Sequence, residues 1–397
     1  MTQLRILPEG TVPATHVLVI GVGHYRHLLG GPAPGKRGVH LGLRVLQSPP
    51  LSAQKFVRWC LGSDGGAQAG LNNPDAPLAT VEVLISSVPK LSFAVAGQAV
   101  EVDGATHLGV RQGFDRWLEE VQGDPRNVGI LYFCGHGVTG NGPEQYLLLE
   151  DHACSQNRPF ETGSFDMTTT LRSLWRTVPA QLYVFVDACR TYDRRVASRM
   201  SGGPSALLDE PASTQSINRG TMLIEATGEG APAYGDSADV SRFTAALLLA
   251  LQGYCGVARA GTPDWLVNGE ALSQSIRKLL AWVNKQRKGA EQSCTPHPSG
   301  PDDTAMHVMA SPPNVKVEIE LSPAALVADA DCRMSDLVRQ GAAPVAGALD
   351  DGVWKADAQK GQYAIQVLSR QQSFREFRRE LEYVEPPTYR LPVRVGP

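Results

Sequence analysis

Uninterrupted apolar runs of strand length recur along most of the chain: Thr15–Gly21, Ala79–Ser86, Val128–Phe133, Leu182–Val186 and Thr221–Ala226. A run without polar alternation predicts a strand covered on both faces. Between these runs, apolar residues return every three or four positions. That spacing predicts helices over Ser52–Leu61, Ala105–Val121, Thr168–Trp175, Phe243–Leu251 and Glu270–Lys288. In the second of these, Val110, Phe114, Trp117, Leu118 and Val121 make one stripe. Ser52 reads as the N-cap of the first. Lys285, Arg287 and Lys288 before Gly289 suit a helix carboxyl end. Gln145–Leu149 reads as a hairpin partner to the strand before it.

Strands alternating with helices predict an α/β fold, a mostly parallel sheet with helices on both faces. Right-handed crossovers then put every strand's carboxyl end on one edge, where sites of open α/β sheets lie. The pattern changes after about residue 293. Cys294–Asn314, rich in proline and glycine, reads as a linker. Beyond it Val315–Leu321 and Gln362–Val367 alternate with period two, and Tyr389–Val395 does so loosely. Residues 315–397 therefore read as a small antiparallel β-sandwich domain, with a short helix allowed within Asp329–Arg339. The expected organisation is a domain over 1–293, a linker over 294–314 and the sandwich over 315–397.

Composition narrows the function classes. A formal net charge of −3, with no Lys/Arg block, gives no reason to expect nucleic acid or an anionic membrane as partner. Seven cysteines, an odd number spread across 397 residues, argue against a disulfide framework and for a reducing compartment. Met1–Glu9 lacks the marks of a signal peptide, and the longest apolar stretch, Ala245–Leu251, is too short to span a bilayer. The expected location is cytoplasmic.

Two of the apolar runs stop at chemistry. One ends in Asp187-Ala188-Cys189-Arg190, the other in Cys134-Gly135-His136-Gly137. A thiol at its reference pKa of about 8.5 is only a few per cent thiolate at neutral pH, and an adjacent imidazole takes its proton. Gly137 leaves room for a substrate. Its backbone N–H, with that of Cys189, suits an oxyanion.

A Gly-His-Gly after one strand, followed about 50 residues later by Asp-Ala-Cys-Arg after another, resembles the caspase-like clan of cysteine peptidases. The resemblance covers roughly residues 12–290. It implies a caspase-like sheet, with Cys189 as nucleophile, His136 as general acid and base, and Gly137 in the oxyanion hole. Where animal caspases carry Gln before and Gly after the nucleophile, this chain has Asp187 and Thr191. An aspartate at that place resembles metacaspases and paracaspases, where it lines the pocket for a basic side chain. Asp187 is thus the expected substrate-binding residue, with cleavage after Arg or Lys. The family's second acidic pocket residue has no clear match between His24 and Arg44; Glu229 or Asp236 are substitutes. No acidic cluster argues for calcium.

The loop over 190–219 carries Arg194, Arg195 and Arg199, a place for activating cleavage by the protein itself or by an upstream protease. Protein substrates are the expected partners, and neither cofactor nor metal is expected. Cys134, His136, His152 and Cys154 lack the paired spacing of a zinc site. Gly21-Val22-Gly23 lacks the third glycine of a dinucleotide turn. For a microbial chain the resemblance implies a regulated protease of stress, cell death or antiviral defence. The rival reading is a catalytically idle caspase-like scaffold whose β-domain binds partners. A scaffold needs neither Cys189 nor His136.

Overall fold

The structure, a computed structural model, describes residues 2–35, 40, 42–63, 70–95, 98–139, 144–155, 162–178, 180–192, 204–211, 220–227, 239–287, 289–300, 305–339 and 341–396. Arg194, Arg195, Arg199, Glu229 and Asp236 lie outside the described residues. By contacts the chain divides into two units. One comprises Met1–Leu248 with Asn268–Val308; the other comprises Leu249–Val267 with Met309–Pro397.

The first unit is built on β1 (Thr2–Arg5), β2 (Thr15–Val22), β3 (Leu78–Ser86) and β4 (Val128–Gly135). It continues through β5 (Gly137–Thr139), β6 (Gln145–Leu148), β7 (Ser164–Asp166), β8 (Gln181–Ala188), β9 (Thr191–Tyr192), β10 (Thr221–Glu225) and β11 (Thr295–Ser299). The central sheet has seven strands in the order β1-β3-β2-β4-β8-β10-β11. Its five inner strands are mutually parallel; β1 and β11 are antiparallel edges. The expected mostly parallel sheet is present.

Helices α1 (Ser48–Cys60), α2 (His107–Gln122), α3 (Met167–Thr177), α4 (Arg242–Leu249) and α5 (Gly269–Gln286) accompany it. On one face Leu131 and Phe133 of β4 and Val184 and Val186 of β8 share a core with Phe114 of α2 and Leu171 of α3. On the other, Phe56 of α1 stacks on Tyr132 at 4.6 Å and meets Phe185 edge-on at 6.2 Å. Both faces being covered is why β4 and β8 read as continuous apolar runs.

Three expectations needed correction. Ser52 is not an N-cap: α1 starts at Ser48 with Pro49 and Pro50 in its first turn, where the fixed proline φ favours helix and the missing N–H costs nothing. Ser52 lies inside the helix and its hydroxyl accepts from the Ser241 N–H at 3.0 Å. The stretch 294–314 is not merely connecting: Thr295–Ser299 is β11, paired with β10. Two prolines masked the strand signal, yet an edge strand tolerates proline because one side of it makes no ladder. Asp329–Arg339 holds no helix but a strand, β13 (Ala330–Asp336).

The second unit carries β12 (Asn314–Ser322), then β13, β14 (Gly347–Asp350), β15 (Val353–Gln359), β16 (Gly361–Ser369), β17 (Phe377–Val384) and β18 (Thr388–Arg394). They form a four-stranded sheet, β14-β15-β12-β18, and a three-stranded one, β13-β16-β17. Val317 and Ile319 of β12 and Trp354 of β15 share one core with Met334 of β13 and Ile365 and Val367 of β16. This is the expected sandwich, antiparallel except that β12 and β18 run parallel.

Candidate active site

The parallel register of β4 and β8 sets Cys134 opposite Asp187 and Gly135 opposite Ala188. The next residues, His136 and Cys189, therefore leave the sheet from neighbouring strand ends. Beyond them β5 and β9 resume parallel pairing, with Val138 opposite Thr191. The glycine between is a packing requirement: a Cβ on Gly137 would lie 2.4 Å from the Cys189 carbonyl oxygen and 3.0 Å from the Ala188 Cβ. No larger residue fits there without displacing the nucleophile segment. The Gln145 side-chain amide, from β6, donates to the same Cys189 carbonyl at 3.3 Å.

His136 is half-buried and held at two points. Its backbone N–H donates to the Tyr25 hydroxyl at 2.8 Å, and the Tyr25 ring lies 5.0 Å from the imidazole. Its Nε2 is 2.7 Å from the Arg44 carbonyl oxygen. A carbonyl only accepts, so Nε2 carries the proton and the neutral ring has its lone pair at Nδ1. Desolvation pushes the imidazole pKa down to about 4, against the opposing pull of the Arg44 carbonyl. The ring is thus a neutral base over the physiological range. Burial pushes the Tyr25 phenol upward, keeping it a neutral hydroxyl.

Asp187 faces the other way from the strand end. Its carboxylate is 3% exposed and accepts from the Thr244 hydroxyl at 2.6 Å, the Ser241 hydroxyl and the Cys134 thiol at 3.4 Å. Burial raises its pKa and the Ser241 and Thr244 hydrogen bonds pull it back. Among the described residues no cation pairs with it. The Cys134 thiol is buried beneath and raised well above its ordinary value by desolvation. Arg190, directly after the cysteine, pairs with Glu225 of β10 at 2.9 Å, and Glu225 also meets His297 of β11 at 3.1 Å.

Sequence reasoning had His136, Gly137, Asp187 and Cys189 in hand but missed Tyr25, Arg44 and Gln145. Tyr25 had a faint signal, an aromatic residue in a glycine-rich turn directly after the first strand. Arg44 contributes only its carbonyl, which every residue has. Among the described residues no three His, Cys, Asp or Glu side chains are grouped to hold a metal ion, and no helix is long and apolar enough to cross a membrane.

A parallel α/β sheet whose adjoining strand ends present a histidine and a cysteine defines a thiol-hydrolase type of architecture. Residues 81–297, more than half of the chain, match the family model described as the caspase domain. The chain belongs to the caspase-domain family. It is 27% identical over 291 residues to the uncharacterized protein y4kE of Sinorhizobium fredii, covering 71% of this chain and 82% of that one. Among solved structures it is similar to a protein from Geobacter sulfurreducens, at 12% identity and a TM-score of 0.43, covering 73% of this chain and 95% of that one. It is also similar to caspase-1 from Spodoptera frugiperda, at 12% identity and a TM-score of 0.40, covering 75% and 96%.

Proposed function

We propose that the protein is a cysteine endopeptidase in which Cys189 and His136 hydrolyse peptide bonds of protein substrates. The observation that carries this reading is the tautomer of His136. With Nε2 committed to the Arg44 carbonyl, Nδ1 is the free base at the same sheet edge as the cysteine. The Cys189 thiol gives its proton to Nδ1 as the sulfur attacks the scissile carbonyl. The N–H groups of Gly137 and Cys189 receive the oxyanion. The imidazolium returns the proton to the departing amine, leaving a thioester. Water, deprotonated by the same nitrogen, then releases the acid and restores the thiol. General acid–base help of this kind is worth roughly 10² to 10⁴ in rate.

Preference for Arg or Lys before the cut belongs to the proposal. Its support is the Asp187 carboxylate, buried two residues before Cys189 and held only by neutral donors among the described residues. A buried anion gains most from a cation brought to it. Activation by cleavage within 190–219 is proposed on the arginines of that loop alone.

A fluorogenic peptide panel with Arg, Lys, Asp or Leu before the scissile bond tests both levels. Cys189-dependent turnover, fastest with Arg or Lys and losing that order in Asp187→Asn, is the expected result. Absence of any turnover lost in Cys189→Ala rejects the peptidase. Because the imidazole charges only below its ordinary range, kcat/KM should hold below pH 6.5 and fall as pH drops through about 4.

A further inference from the structure

The wall that holds His136 is also the wall of a cavity. Directly after Arg44, Val45 and Leu46 line a space of about 690 Å³ that Pro50, Leu51, Val88 and Leu91 make largely apolar. The wall is pinned rather than loose: the Val45 N–H donates to the Leu29 carbonyl at 3.0 Å and the Leu46 N–H to the Gly23 carbonyl at 2.8 Å. Leu29 and Arg44 are joined by a further parallel bridge. A volume of this size accommodates one or more large side chains.

Strand order says which part of a substrate reaches it. The cavity is built from segments that follow β2 and β3, and the sheet runs β3-β2-β4-β8. It therefore lies on the His136 side of the site, away from Cys189. The imidazole must hand its proton to the departing nitrogen, so the departing segment leaves past His136. We infer that this cavity receives a large apolar side chain from the leaving-group side of the scissile bond, making the enzyme selective after the cut as well as before it.

This inference rests on the proposed peptidase activity, and the test separates the two. Internally quenched peptides share one sequence before the cut and carry Ala, Leu, Phe or Lys in the positions after it. A 4-nitroanilide with the same leading sequence has no amino-acid side chain on its leaving amine. Wild type should cleave the Leu and Phe peptides with kcat/KM about ten-fold above the Ala peptide, from burial of the added carbons. Val88 is 76% exposed, so Val88→Asp alters the rim without touching the core. In that variant the Leu-to-Ala ratio should collapse toward one and the Lys peptide should gain. Equal kcat/KM for Ala, Leu and Phe in wild type, or a ratio untouched by Val88→Asp, overturns the inference while Cys189-dependent nitroanilide cleavage keeps the peptidase reading. Loss of nitroanilide cleavage as well overturns both.

Discussion

The strands of the two units differ in kind. Every residue of β4 and β8 is buried, whereas β12 alternates between buried and half-buried along almost its whole length. The first pattern belongs to strands sandwiched between helices, the second to a strand with one face on a core and one toward solvent. A strand wrapped on both sides can present chemistry only where it ends, and β4 and β8 end in Gly-His-Gly and Ala-Cys. The sandwich strands end in ordinary turns and carry their information in the core. One unit is read at its edges, the other through its interior.

That contrast can be broken experimentally. The largest effect is expected for Cys189→Ala: peptide hydrolysis should fall at least a thousandfold, on the order seen when a catalytic nucleophile is removed. The melting temperature should hardly move, since Cys189 is only half-buried. The mirror experiment is Ile365→Ala in the sandwich, a fully buried side chain. Denaturant titration should show a loss of about 3 kcal/mol from transfer and cavity terms. Gly137→Ala lies between the two. Its Cβ, 2.4 Å from the Cys189 carbonyl, should cut kcat about a hundredfold by misplacing the nucleophile, with KM less affected.

The smallest effect concerns acid. All nine histidines lie at or before position 307. Five of them, His16, His107, His136, His152 and His307, are held below their ordinary pKa chiefly by burial. The folded state refuses protons that the unfolded chain accepts, so stability is full above about pH 6.5 and declines as pH falls toward about 4. Amide exchange at about pH 4.5, after correction for intrinsic rates, should accelerate in the histidine-bearing unit. The sandwich, with no histidine, should keep its protection. Equal acceleration in both would show that the histidines do not set acid sensitivity.

The partition between legible and hidden features follows the same physics. The five inner strands of the sheet were readable because burial on both faces leaves a long apolar signature. The edge strands β1 and β11 were not, since an edge needs little apolar area and admits prolines such as Pro296 and Pro298. Within the sandwich, β12, β16 and β18 showed their alternation. Met334 is buried in β13, but Arg333 and Ser335 around it are too weak a pattern to outweigh a helical reading.

By itself the chain's order of residues determined the fold class and the two motifs that carry the candidate chemistry. Those are local properties: apolar period, strand length, and which residues follow a strand's last apolar position. Only the tertiary structure decided that the two motifs end side by side, that the Arg44 carbonyl selects the imidazole tautomer, and that Asp187 is enclosed by Ser241, Thr244 and Cys134. Each of these joins residues at least 50 positions apart, through a strand register, a backbone carbonyl or a buried hydroxyl. Such contacts leave no periodic trace, because any residue type can supply a carbonyl and a register exists only once neighbouring strands have paired.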